Sequence, residues 1–422
     1  MEHRVPRRGH RDHGLRRPRR LRPFQVARRE HPHGHHERQA RAGAQPRRAL
    51  LLPAGAGFVM RTTTAALSRD PRGPFQLEQV RLDAPRPDEI LVRVLASGIC
   101  HTDLVSRAAG AADRPVLLGH EGAGVVEEVG GAVTSVRPGD HVVLTFRHCG
   151  ACRNCATGRP AYCRKATALN TFGRRADGTP RVTVDGAPVL DGFFGQSSLA
   201  GYALATADNT VVIDPSVDPV VAAPLGCGFQ TGAGAVLNLL RPEADSWLVV
   251  YGAGAVGLAA LLAARTLDGV RTVVVETSAQ RRALALELGA TAALDPADGD
   301  TTARVRELTG GGADHALEAT GIPTVLADAV RALGVGGTVA AVGLGTGAPP
   351  LDMRDIVVHG KSIRGCLEGD SVPTEFVPRL LELYRSGRLP LDRLVSVYPS
   401  AEIETALADQ RAGTIVKPVL RW

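Results

Sequence analysis

The sequence predicts an α/β fold in two parts, a mostly β segment followed by a doubly wound parallel sheet. Three observations carry this: short alternating apolar and polar runs up to residue 228, repeated strand and helix units after it, and a glycine-rich turn between the first of those strands and its helix. The chain has 422 residues, of which 44% are hydrophobic and 22% charged. That composition suits two or three ordinary globular domains and excludes a collagen-like repeat, a membrane bundle or global disorder. No apolar run approaches the ~20 residues that a membrane span needs.

In chain order, the first segment is set apart by charge. Residues 1–59 hold fifteen Arg and no Lys against Glu2, Asp12, Glu30 and Glu37. Their net of +11 leaves −4 for the rest of a chain whose total is +7. The segment has neither Ser nor Thr and no periodic apolar face, so it is expected to be a disordered Arg/His-rich extension, or sequence upstream of a start at Met60. A transit peptide would be amphipathic and Ser-rich, and the apolar run before Met60 is short and broken by Pro53, which argues against a signal. A basic arm that binds nucleic acid by charge is the alternative reading.

From Met60 the pattern becomes regular. Alternation over 75–82, 90–96, 123–129 and 141–145, with Pro-Gly or Asp breaks, predicts short antiparallel strands. The β-branched runs 247–251, 271–276, 315–319 and 338–342 predict buried parallel strands, with helices over 258–267, 279–288 and 323–333 between them. A helical stretch and a last strand over 414–420 end the chain.

Gly252, Gly254 and Gly257 form G-x-G-x-x-G between the strand ending at Tyr251 and the next helix. Glycines there allow a tight turn and close backbone approach, with helix amides free for a pyrophosphate. The following strand ends in Glu276, 19 residues past Gly257, where a carboxylate accepts both ribose hydroxyls and repels a 2′-phosphate. NAD is therefore expected over NADP. Capping of the following helix is the competing role for Glu276, and the neighbouring Arg281 and Arg282 leave NADP tolerance open.

Four of the seven cysteines, Cys149, Cys152, Cys155 and Cys163, are spaced C-x2-C-x2-C-x7-C. A loop of that kind wraps one tetrahedral Zn²⁺ in four thiolates, and a closed site is structural. A second donor set is Cys100 in Cys100-His101-Thr102-Asp103, His120 in Gly119-His120-Glu121, and Cys227 in Pro224-Leu225-Gly226-Cys227-Gly228. Two thiolates and one imidazole leave a fourth position open for an alcohol or water. A lone buried Cys or His is more often structural, and that reading stands beside this one; for Cys366 it is preferred.

With these residues in hand, residues 60–422 resemble the zinc-dependent medium-chain alcohol dehydrogenases. Gly119-His120-Glu121-Gly122-Ala123-Gly124, with Gly130 beyond it, is similar to the family's zinc signature, and the four-cysteine lobe has its spacing. Cys100-His101-Thr102-Asp103-Leu104, Phe193-Phe194-Gly195-Gln196-Ser197-Ser198, Pro224-Leu225-Gly226-Cys227-Gly228 and Glu368-Gly369-Asp370-Ser371-Val372-Pro373 look most like the aryl (benzyl) alcohol branch.

The resemblance implies a GroES-like, mostly-β catalytic domain over 60–228 and 346–422 and a Rossmann NAD-binding domain over 229–345. It implies two zincs per chain: a catalytic one on Cys100, His120 and Cys227, and a structural one on Cys149, Cys152, Cys155 and Cys163. Asp103 would orient His120, Glu121 would approach the metal transiently, and Thr102 would take the alcohol proton. His101 and Lys417 would lie near the pyrophosphate, and Phe193 and Phe194 would line the substrate pocket. Where some relatives carry a His that completes a proton relay, this chain has Val105. The implied activity is NAD-dependent interconversion of a small primary alcohol, aryl or allylic, and its aldehyde, by a cytoplasmic homodimer or homotetramer without membrane or nucleic-acid partners. Two alternatives remain: a family member for a terpenoid alcohol or a formaldehyde adduct, and a zinc-containing nucleic-acid-binding protein that uses the basic arm.

Overall fold

In the computed structural model the described residues are 60–111, 114–173, 175 and 177–422. The N-terminal extension expected over 1–59 lies outside them. The α/β half forms one parallel sheet of six strands. Its spatial order is Ala292–Leu294, Arg271–Val275, Trp247–Tyr251, Ala313–Glu318, Leu333–Ala341, Ser362–Gly365. Numbered along the chain this is 3-2-1-4-5-6, the doubly wound dinucleotide-binding order, with its switch point between Trp247–Tyr251 and Ala313–Glu318. The two strands at the centre end in buried apolar runs, Leu248 to Tyr251 and Val273 to Val275, because both faces are covered there.

The helix after the glycine turn, Ala255–Ala264, is apolar on all sides because it is sandwiched. Helix Gly228–Gly234 packs against it so closely that a Cβ on Gly232 would sit 2.0 Å from the Val256 carbonyl oxygen. One core cluster runs from this pair into the β half through Ala96, Ala123 and Val143.

The β half consists of two mostly antiparallel sheets. One runs Val116–Leu117, Arg61–Ser68, Gln76–Leu82, Val182–Val184, Ala187–Pro188. The other is built on the long strand Glu89–Gly98, which pairs with Gly122–Val129, Tyr202–Thr206 and Lys417–Arg421. The C-terminal strand thus returns from the α/β half to complete the β half, and this carries Lys417 to the end of Glu89–Gly98.

Several strands depart from the sequence pattern. Arg61–Ser68 begins with four polar residues and is buried only over its second half, so it shows no alternation. Ser362–Gly365 has no buried residue and extends the parallel sheet past residue 345. Among the described residues no single helix is long and apolar enough to cross a membrane.

Candidate active site

The site is assembled where the long strand ends. After Gly98 and Ile99 the chain turns at Cys100, the N-cap of the short helix His101–Ser106. Asp103 is fully buried and does two jobs there. Its Oδ2 accepts the Cys100 amide at 3.0 Å, which caps the helix, while Oδ1 accepts the Gly119 amide and meets His120 Nδ1, both at 2.9 Å. His120 is thereby fixed in orientation and tautomer, and its Nε2, buried with no protein partner, is left as a free donor atom.

Cys227 arrives from the end of the first segment, at the N-terminus of Gly228–Gly234. Donor atoms of Cys100, His120, Glu121 and Cys227 all lie within 4.8 Å of one another. The neighbouring Cys227 thiol, followed by the His120 ring, draws Cys100 well below the usual thiol range, and Cys227 is pushed well above it by Cys100 and burial. Burial alone would lower His120, but Asp103 and Cys100 overcome it and raise it. A buried orphan nitrogen beside two thiols, one of them poised as thiolate, is a donor set that zinc fits.

Glu121 accepts the Gly228 amide at 3.0 Å through Oε1 and ion-pairs with Lys417 through Oε2. Lys417 is only 1% exposed and also donates to the Ile99 carbonyl at 3.0 Å. It thereby neutralises the buried carboxylate under the metal donors. The physical reason is the antiparallel pairing of its strand with Glu89–Gly98, which buries its stem. Thr102 lies with its Oγ1 3.7 Å from Cys100 Sγ, and His101 is exposed. Phe194 is half-buried with its ring 4.6 Å from that of His120, whereas Phe193, edge-on at 5.4 Å, belongs to the core and is 3% exposed. Val105 is 62% exposed.

The four-cysteine lobe is likewise assembled, with all four thiols unbridged and their sulfurs within 4.8 Å. Backbone amides point at the sulfurs: Cys149 and Lys165 at Cys163, each at 3.3 Å, Cys152 at Cys149, 3.3 Å, and Arg164 at Cys152, 3.5 Å. The amides of Arg164 and Cys155 lower Cys152 to about 6, as suits a thiolate ligand.

At the glycine turn the three glycines have separate causes. Gly252 adopts φ +93°, which a side chain resists. A Cβ on Gly257 would meet the Gly252 carbonyl oxygen at 1.8 Å, so the helix packs directly on the strand. A Cβ on Gly254 would meet nothing within 4 Å: the open cradle lies where a pyrophosphate must approach. Glu276 stands beside it, taking the Ala253 amide at 2.7 Å and the Ser278 amide at 2.8 Å. The helix cap itself is Ser278. Arg282 is held by Asp295 and by the carbonyls of Glu276 and Thr277, and Arg281 reaches carbonyls at Gln410 and Ile415. Gly254→Ala is therefore expected to keep the fold and raise the KM for dinucleotide ~10-fold or more. Gly257→Ala should lower stability by about 1–3 kcal/mol. Thermal melts paired with cofactor titrations check both; equal melting of the two variants would refute the assignment.

Two residues around the metal donors have no sequence signal for that role. Gln230 Nε2 donates to the Gly226 carbonyl at 2.7 Å and to Thr145 Oγ1 at 2.8 Å, immediately before and beneath Cys227. Glu368 Oε2 accepts from Gln230 at 3.2 Å, and its Oε1 lies 3.6 Å from Cys227 Sγ. Burial raises the Glu368 carboxyl to about 7. It is 141 residues from Cys227, so no local spacing could announce the contact.

Residues 86–215 match the alcohol dehydrogenase GroES-like domain and residues 255–386 the zinc-binding dehydrogenase domain. The chain is 45% identical over 360 residues to geraniol dehydrogenase of Castellaniella defragrans, covering 84% of this chain and 96% of that relative. Crystal structures of benzyl alcohol dehydrogenase from Acinetobacter calcoaceticus (41% identity, TM-score 0.81) and of an alcohol dehydrogenase zinc-binding domain protein from Burkholderia ambifaria (47%, TM-score 0.82) superpose on it. In each case the match covers 86% of this chain and 99% of the other. Identity at that level across nearly the whole of each relative, in both domains, makes this chain a member of the zinc-dependent medium-chain alcohol dehydrogenase family.

Proposed function

We propose that this alcohol dehydrogenase interconverts a primary aryl or allylic alcohol and its aldehyde with NAD, and that it carries one zinc in each of its two donor groups. The observation that carries this reading is the convergence of half-buried Cys100 with buried His120 and Cys227, with His120 Nε2 unpartnered and Nδ1 held by Asp103. When bound there, zinc supplies Lewis-acid polarisation of the alcohol oxygen. The protein's own groups do the rest. Asp103 keeps Nε2 turned to the donors, and Lys417 with the Gly228 amide balances Glu121. Thr102 takes the alcohol proton at Oγ1, and Val105 offers no onward acceptor, so the protein's own exit for the proton is His101 or water. The Phe194 ring, stacked beside His120, provides an apolar face for a planar substrate and keeps water from the donors. Glu276 at the open Gly254 cradle favours NAD, since Arg281 and Arg282 are engaged elsewhere. The cofactor domain runs from residue 229 through the sixth sheet strand, Ser362–Gly365, and the catalytic domain takes 60–228 and the chain after that strand, in a cytoplasmic homo-oligomer.

Support for an unsaturated alcohol comes from the relatives' names, geraniol and benzyl alcohol dehydrogenase. The test is a panel of benzyl, terpenoid allylic and short aliphatic alcohols and a formaldehyde adduct, with NAD and NADP, on metal-quantified protein. Benzyl or allylic alcohol with NAD should exceed the aliphatic alcohols in kcat/KM at least about tenfold. Preference for the aliphatic alcohols, the adduct or NADP would overturn it.

A further inference from the structure

The four-cysteine lobe and the catalytic cysteine are joined by a turn that neither site requires for its own chemistry. Glu368, Gly369 and Asp370 are three consecutive left-handed residues, with φ of 49°, 67° and 49°. Glycine takes this conformation freely, but two acidic side chains do not, and such residues persist only where surroundings hold them. Here they are held on every side. The Gly369 carbonyl accepts Asn238 Nδ2 at 3.0 Å, and a Cβ on Gly369 would lie 2.2 Å from the Gln230 carbonyl oxygen. Ser371 Oγ donates to the Glu368 carbonyl at 2.7 Å.

The two strained residues send their carboxylates to different sites. Glu368 turns inward to Cys227 and Gln230. Asp370 turns outward and accepts the hydroxyl of Tyr162, the residue before Cys163 in the lobe. The same Tyr162 oxygen accepts the Leu367 amide at 3.3 Å and lies 3.0 Å from the Gly365 carbonyl, and Arg159 covers its ring at 4.8 Å. Gln230 in turn holds the Gly226 carbonyl, one residue before Cys227. One tyrosine hydroxyl therefore ties the lobe to the turn that backs the catalytic thiol.

We propose that Tyr162 and the turn Glu368-Gly369-Asp370 are a positioning link through which the four-cysteine lobe sets the placement of Cys227. The proposal rests on Cys227 being a ligand, as in the functional reading above, but its test does not depend on turnover. Tyr162→Phe removes the hydroxyl and leaves the ring, the Arg159 stack and all four lobe thiols. Amide hydrogen exchange over 226–232 is expected to speed about tenfold while exchange over 149–163 is unchanged. Zinc bound at the Cys227 site should pass faster to a chromophoric chelator. Turnover should fall in kcat more than in KM.

Asp370→Ala cuts the same hydrogen bond from the other end. The double variant should be no worse than either single, and Asp370→Asn, which keeps an acceptor, should restore most of the protection. Exchange over 226–232 within about twofold of wild type in both single variants, or additive effects in the double, would overturn the link. Were wild-type protein to oxidise no alcohol, the functional reading would fall, while the exchange comparison would still decide the link.

Discussion

Cys100→Ala and His120→Ala are each expected to cut benzyl alcohol oxidation about a thousandfold or more, with zinc falling from two per chain toward one. The size follows from what each change removes. Cys100 is the donor whose thiol the site draws well below its ordinary range, and His120 Nε2 is a buried nitrogen with no other partner. The fold should survive, because Asp103 keeps its bonds to the Cys100 and Gly119 amides when the imidazole is gone. Zinc analysis, circular dichroism and steady-state kinetics on the same preparations check this. Retained turnover in either variant would remove these residues from the site.

Cys152→Ala should act on stability first. The lobe has no apolar core of its own: Cys149, Cys152 and Cys155 are all partly exposed, and its order comes from amides directed at sulfur. A bound zinc contributes its binding free energy to that order, as in small metal-folded domains. Losing one of four thiolates should release the lobe's metal and lower the melting temperature by at least about 5 °C. The remaining zinc should stay with Cys100, His120 and Cys227. Unchanged melting at two zincs per chain would show that the lobe is not a metal site.

Local features of both sites are legible in the amino-acid order. The four lobe cysteines lie within 15 residues, so their spacing alone limits the chain to a loop around one point. The glycines at 252, 254 and 257 act within a single turn, and Asp103 reaches Cys100 across one helical turn. Non-local features follow other rules. The pairing of Lys417 with Glu121 has no local signal, because the register of its strand against Glu89–Gly98 is what delivers it there. Glu368 stands in the sequence only within a motif of the family's aryl branch, and its left-handed backbone turns it toward Cys227. The strand Ser362–Gly365 is invisible as a pattern because none of its residues is buried.

The sequence by itself determined the fold class, the doubly wound half, the types of metal donor and the family, since these depend on periodicity, residue chemistry and short spacings. Only the tertiary structure decided that Cys100, His120 and Cys227 meet at one point, that Lys417 neutralises Glu121, and that Phe194 rather than Phe193 lies partly open beside His120. Convergence of distant residues depends on strand register and on which halves share a core. Those are set by the packing of the whole chain, which no single stretch of it encodes.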